Sequence, residues 1–255
     1  MRTSVRFIAA LVLTLPAAVA GSAEVQVLAP GGAAPGVRAL AAEYNKQGGT
    51  QVVVSSIRPA IVRRRIFAGE SYDVVVQAIP AMEDTDKAGL LKAGSRMGLA
   101  RGGIGVIVRK GAPVPDVSTV EGFRRAMLAA NTVIVGEIAQ ANGAGPLIVR
   151  ILEGAGILDA VKPKWREADI VPGNELIAKG EADTGLFNLV AVPYDVGVVL
   201  AGQVPPPLQL YTSYEGAVLA KAAAPDAAAA FVRFMASDKA RAIWTAKLFE
   251  PLPAK

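Results

Sequence analysis

Four short segments hold the residues best suited to bind or transform a small anion, and each stands where an apolar run gives way to a helical pattern. In Ala29-Pro30-Gly31-Gly32-Ala33, the turn residues Pro30, Gly31 and Gly32 let a ligand approach the backbone, with the unpaired N–H groups of a helix start behind them. The same turn would also serve as a plain strand-to-helix connection. Ser55-Ser56-Ile57-Arg58-Pro59 offers two hydroxyls and a guanidinium, and Arg58 has the planar fork that grips a carboxylate through two parallel hydrogen bonds. Its plainer reading makes Ser56 a helix cap and Arg58 a solvent-facing side chain. The third segment runs from Glu137 to Gly145, where Asn142 and Gly143 suit backbone-led anion binding. Glu137 follows a strand directly and is the one candidate general base, although a carboxylate beside an anion also repels it. In Phe187-Asn188-Leu189, Asn188 can donate to a ligand while Phe187 reads as core. Arg63, Arg64 and Arg65 are consecutive on a helical pattern, so they point in different directions and form a solvated face.

The missing residue types narrow the chemistry. The chain has no histidine and no cysteine, which excludes histidine-based triads, His/Cys zinc sites and ordinary haem ligation. Nothing fits the Walker phosphate loop, and GGAAPG at 31–36 lacks dinucleotide-fingerprint spacing. No cofactor and no metal are expected. The tyrosines, Tyr44, Tyr72, Tyr194, Tyr211 and Tyr214, are few and scattered. The whole favours binding over catalysis.

These segments need a scaffold. Arg2 and Arg6 precede FIAALVLTLPAAVA and the small-residue stretch AGSAE, the pattern of a secretory signal peptide ending at Ala23, with Ala20 as the alternative. A membrane anchor is the competing reading, weakened by the short apolar run and by Pro16. Without residues 1–23 the formal charge drops from +5 to +3, and the basic clusters lack aromatic interleaving, so nucleic acid is a poor partner. Then strand and helix patterns alternate: strands at 25–29, 51–56 and 73–78, with helices at 34–46, 59–68 and after Ile79. Near-continuous apolar strands favour a parallel sheet covered on both faces. Two strand pieces, 97–100 and 104–109, meet at Gly102-Gly103. A helix capped by Ser118 with Glu121 follows, then a strand at 131–137, a helix opening near Gly145 and a strand at 183–189. The tail gives a strand and two helices, Ser237 capping the second. In open parallel sheets the ligand crevice lies beyond the C-terminal strand ends, which is where all four segments fall.

VQVLAPGGAAPGVRALAAEYNKQGGTQVVVS, RIFAGESYDVVV, LARGGIGVIVRKGAPVPDVSTVEGFRRAMLAA, GEADTGLFNL and AAAAFVRFMASDKARAIW together resemble the type 2 periplasmic solute-binding proteins related to molybdate binders, over 24–255. The resemblance implies an α/β fold of two domains with a ligand cleft between them: 24–102 plus 206–255, and 103–205. It also implies a monomeric periplasmic protein that hands a small anion to an inner-membrane ABC permease. Molybdate binders usually place Ala-Ala-Ser-Leu in the first loop, a serine within a glycine-rich second loop, and a tyrosine at the strand end matching Asn188. Here the first loop has no hydroxyl, Asn188 replaces the tyrosine, and Arg58 is added. Those departures favour an organic carboxylate over molybdate. The small-residue third loop and RKGAPVPDVST also resemble a divergent branch that includes periplasmic aconitate isomerase, which makes proton-transfer isomerisation of cis- and trans-aconitate the alternative function.

Overall fold

The computed structural model describes residues 23–136, 138, 144–191 and 197–253. The expected signal segment through residue 22 and the candidate residues Glu137, Asn142 and Gly143 lie outside the described residues.

The amino-terminal half repeats strand and helix: β1 (Ala23–Pro30), α1 (Ala34–Asn45), β2 (Thr50–Ile57), α2 (Pro59–Phe67), β3 (Val74–Ala78) and α3 (Ile79–Lys87). A long strand, β4 (Met97–Arg109), leads to α4 (Val120–Ala129), β5 (Val133–Val135), α5 (Gly145–Gly154), α6 (Leu158–Val161), β6 (Trp165–Glu167), α7 (Ile170–Lys179) and β7 (Thr184–Asn188). The chain finishes with β8 (Val198–Gln203), β9 (Tyr211–Val218), α8 (Pro225–Met235), α9 (Asp238–Ala246) and β10 (Glu250–Pro251). The strand order is β2-β1-β3-β9-β4-β7-β5-β6, with β8 and β10 also paired to β4.

β4 joins the two halves of this sheet. Its residues Met97–Gly103 run antiparallel to β9, and its residues Ile104–Arg109 run antiparallel to β7 and β8. What reads in sequence as two strand pieces broken at Gly102-Gly103 is therefore one continuous strand. The glycines keep their ladder places; Gly102 has no Cβ because Asn188 Oδ1 would lie 2.6 Å from it.

Each half is covered on both faces, as the apolar runs predict. Val27, Val74 and Val76 pack towards α1, α8 and α9, among Val37, Phe231 and Trp244. Their neighbours Leu28 and Val75 point the other way, towards Val62 and Ile66 of α2 and Met82 of α3. The second half alternates likewise: Ile104, Val133 and Val135 meet Phe123 and Ile148, whereas Ile107, Ile134 and Phe187 meet Ile177.

Three local expectations change. Thr119, not Ser118, caps α4, accepting from Gly122 N at 3.0 Å, while the Ser118 hydroxyl is spent on Asp116 at 2.6 Å. Ser237 stands at the start of α9, but its hydroxyl donates back to the Phe234 carbonyl at 2.7 Å. The strand expected over 131–137 is only Val133–Val135, and β8 lies in a segment where no strand is predicted.

Helix α1 meets α9 at Gly36, where any Cβ would run into the Trp244 ring and within 2.9 Å of Phe249. The indole cannot retreat easily, since its Nε1 donates to the Met235 carbonyl at 2.9 Å and the ring is 1% exposed. Gly36→Ala is expected to cost about 1–3 kcal/mol by overpacking, despite the better helix propensity of alanine. Urea unfolding checks this; unchanged or raised stability would contradict the packing.

Candidate functional site

Five helices start at the C-terminal ends of parallel strands: α1 after β1, α2 after β2, α3 after β3, α5 after β5 and α7 after β6. The residues at these five starts line one cleft of about 420 Å³, from Gly31 and Gly32 through Arg58, Ala78 and Ala144 to Asp169 and Ile170. A helix start carries backbone N–H groups without intrahelical partners and the positive end of the peptide dipoles, so each is an acceptor-seeking end.

The sequence leaves these ends uncompensated. Their N-cap residues are Ala33, Arg58, Ala78, Ala144 and Asp169, none of which makes a side-chain capping bond, and none of the five first turns holds an acid. The other helices differ. Glu121, Asp159, Asp226 and Asp238 occupy the first turns of α4, α6, α8 and α9, and Thr119 caps α4. Alanine is a poor cap, and its use at three cleft-facing starts leaves the amides to a ligand or water. Each of the five also has a proline in its first three positions, namely Pro35, Pro59, Pro80, Pro146 and Pro172. Proline pre-sets the helical φ and removes only an N–H that would be orphaned anyway.

Side chains add three kinds of contact. Arg58 reaches the cleft from the start of α2 and remains exposed. Ser56 lines the cleft, while Ser55 points to the opposite face of β2 and is absent from the lining, because successive strand residues alternate. Helix α2 is entered through Arg58 rather than through a capping Ser56. The turn residues Pro30, Gly31 and Gly32 are all present in the lining. The Gly31 N–H already donates to the Ile57 carbonyl at 3.1 Å, so this amide braces the turn.

Asn188 also lines the cleft, and sequence reasoning missed its partner. Asn188 Nδ2 donates to the Tyr214 hydroxyl at 3.3 Å, and both residues are buried. Tyr214 projects from β9, so a phenol reaches this position from a strand remote in sequence from Asn188. A Cβ on Gly32 would collide with that hydroxyl, so the glycine makes room for the tyrosine. Because the phenol oxygen accepts from Asn188, its proton has no acceptor among the described residues. Burial pushes the Tyr214 phenol well above the usual tyrosine range, only partly opposed by the Asn188 bond. It stays a neutral donor at physiological pH.

Phe187, expected in the core, is 1% exposed and also forms part of the cleft wall. Gln77, Thr212 and Asp169 complete the polar lining and are not among the sequence candidates. Ala-x-Pro triplets stand at three of the cleft-facing starts, 33–35, 78–80 and 144–146, but the same triplet at 223–225 opens α8 away from the cleft, so it does not single this region out. Arg63, Arg64 and Arg65 stay outside it; Arg65 bonds Tyr72 at 3.0 Å, and Arg63 lies over Phe67 at 4.3 Å. Among the described residues no group of three or more acidic, histidine or cysteine side chains is placed to hold a metal.

Comparison with known proteins agrees with this architecture. The family model described as bacterial extracellular solute-binding protein matches residues 25–250. A curated aconitate isomerase from Pseudomonas sp is 31% identical over 239 residues, covering 90% of this chain and 88% of the relative. The Azotobacter vinelandii periplasmic molybdate-binding protein superposes with a TM-score of 0.74 at 23% identity, covering 90% of this chain and 99% of its own. The substrate-binding domain of a putative molybdenum ABC transporter from Clostridium difficile gives 0.75 at 18% identity, covering 91% and 100%. These superpositions place the fold among type 2 periplasmic binding proteins.

The buried phenol gives a spectroscopic test. A free tyrosine ionises near pH ~10; the folded Tyr214 holds its proton to higher pH. Its contribution to stability is therefore complete below about pH 10 and is lost as pH rises from there through the folded value. Tyr211 is also raised, first by burial and then by its bond to Glu250, so the comparison must be made against Tyr214→Phe. Absorbance at 295 nm is expected to contain a delayed component that this variant removes. An unchanged titration would contradict the burial of the phenol.

Proposed function

The chain belongs to the family of bacterial extracellular solute-binding proteins, and we propose that it captures a small organic anion bearing carboxylates outside the cytoplasm. The observation that carries this reading is the cleft where five helix starts lack side-chain capping bonds and have no acid in their first turns, Asp169 at the N-cap of α7 being the one carboxylate among them. A carboxylate supplies the acceptors those amides want and the negative charge the dipoles favour. Arg58 adds a bidentate donor and Tyr214 a neutral one. The first loop still lacks the hydroxyl expected of a molybdate site, and a cleft of about 420 Å³ falls in the range of organic-ligand pockets.

In this reading Pro30, Gly31, Gly32, Ser56, Arg58, Asn142, Gly143 and Asn188 surround the anion, Gly31 by shape rather than by its occupied amide. The segments 24–102 with 206–255 and 103–205 act as two lobes that close about Gly102-Gly103. The protein works as a periplasmic monomer and delivers its ligand to an inner-membrane ABC permease, the role the fold implies. No nucleic acid is involved.

A second reading is favoured by the 31% identity to an aconitate isomerase. There the cleft would hold aconitate while a base removes a proton from its methylene carbon. The electron pair shifts through the adjacent double bond, and a proton returns to the former vinylic carbon, so the double bond moves without net change in composition. The helix starts would stabilise charge developing on the flanking carboxylate. Glu137 is the base suggested by sequence. Among the described residues, Asp169 is the carboxylate in the cleft wall.

A thermal-shift series with molybdate, tungstate, sulfate, phosphate, citrate and both aconitates separates these ideas. A carboxylate at 100 times its Kd should stabilise the fold by about 2.7 kcal/mol, raising Tm by about 5–10 °C. Strong stabilisation by molybdate alone would contradict the proposal. Because Arg58 is exposed, Arg58→Ala should weaken the bound carboxylate by about 10-fold rather than abolish binding. Appearance of trans-aconitate from cis-aconitate, lost in Asp169→Asn, would establish the second reading; binding without conversion supports capture.

A further inference from the structure

Among the described residues, Asp169 is the one acid in a cleft otherwise suited to negative charge. It lines the wall together with Arg58, and the two come from opposite edges of the sheet. β2, which ends just before Arg58, and β6, which ends two residues before Asp169, are the outermost members of the strand order. The curl that brings both edges to one cleft therefore sets a cation on one side and an acid on the other.

Neither charge is used within the protein. Arg58 and Asp169 make no side-chain hydrogen bond or ion pair among the described residues, with each other or with any other group. The ordinary duty of an aspartate at a helix start is to accept from the N–H two or three residues on. Thr119 does this for α4, accepting from Gly122 N, three residues later, at 3.0 Å. In α7 the residue three after Asp169 is Pro172, which has no N–H, so the equivalent bond cannot form. No bond to Val171 N takes its place. The half-buried carboxylate keeps its acceptor oxygens free on the cleft wall. A free acid there weakens any ligand that presents only acceptors to it, and favours one that presents a donor.

We propose that Asp169 is a specificity-determining residue that accepts a hydrogen bond from a hydroxyl or ammonium group of the ligand. The cleft then selects an acid that carries such a donor over the same acid without it. Arg58 takes a carboxylate on one side, and Asp169 takes the donor on the other. This rests on the organic-anion reading above and narrows it to hydroxy and amino acids: the helix starts attract carboxylates, and Asp169 sorts among them.

Pairs of acids that differ by the donor alone test this, citrate against tricarballylate, and malate or aspartate against succinate. In calorimetric titrations the wild-type protein should prefer the donor-bearing member of the pair it binds by about 10- to 100-fold, the range of a hydrogen bond to a charged group. Asp169→Asn removes the charge while keeping the size and an equally good N-cap residue. It should weaken the donor-bearing acid and strengthen its partner, bringing their ratio to within about threefold. Asp169→Ser serves if circular dichroism shows the asparagine variant unfolded. A preference for aspartate over malate identifies the donor as ammonium, and the reverse identifies it as hydroxyl; either supports the inference. A purely structural Asp169 moves both acids of a pair alike, so a ratio unchanged by the substitution overturns the inference. A wild-type preference for tricarballylate or succinate, or binding of the aconitates with none of the donor-bearing acids, overturns it too and leaves the carboxylate reading intact. Silence towards every acid overturns both.

Discussion

Every α-helix begins with backbone N–H groups that its own hydrogen bonds cannot satisfy, and in this fold five such beginnings face the same cleft. Elsewhere in the molecule each α-helix carries an acid in its first turn. Thr119 and Glu121 attend the start of α4, and Asp226 and Asp238 serve α8 and α9. At the cleft none of the five first turns holds an acid, and alanine stands at three of the five N-caps. The helix ends are held by the strands that feed them, so their amides stay oriented without an internal acceptor. Pre-oriented donors of this kind favour an anion because little ordering is left for the ligand to impose.

The rest of the site follows from keeping that convergence open. Parallel pairing of β1 with β2 and β3, and of β5 with β6 and β7, aligns the helix starts within each half. β4 and β9 run between the halves, and they contribute the small residues and the phenol at the centre. Gly32 and Gly102 are glycines because Tyr214 and Asn188 occupy the space a Cβ would take. Among the described residues, the charged lining consists of Arg58 and Asp169, of opposite sign. The field in the cleft is therefore set largely by backbone dipoles, and Arg58 directs it towards a planar, bidentate ligand.

Much of this architecture is visible in the sequence because it rests on local pattern. Runs such as Val25–Ala29 and Val74–Ala78 announce buried parallel strands, and glycine and proline mark their ends. Pro30, Gly31, Gly32, Ser56, Arg58 and Asn188 could be found this way, since each sits at such an end and each lines the cleft. Ser55 was separable from Ser56 only through the pleat. Tyr214, Gln77 and Asp169 escaped because nothing in their own neighbourhoods identifies them: their meaning comes from antiparallel pairing between β3 and β9 and from the juxtaposition of two half-sheets. The capping bonds of α4 and α9 differ from the sequence reading for a smaller reason, although Ser237 does stand at the N-cap of α9. Ser118 and Ser237 each had another backbone or side-chain partner within three residues, and local competition of that sort is invisible to a capping pattern.

The central claim is that helix starts from both halves grip one anion together. Backbone amide chemical shifts recorded by 15N-resolved NMR during a citrate titration test it most directly. The account predicts that Gly32, Ala60 and Ala81 of one half move in step with Gly145 and Ile170 of the other, along a single binding curve. Shifts confined to one half, or absent from these amides while the ligand binds elsewhere, would contradict it.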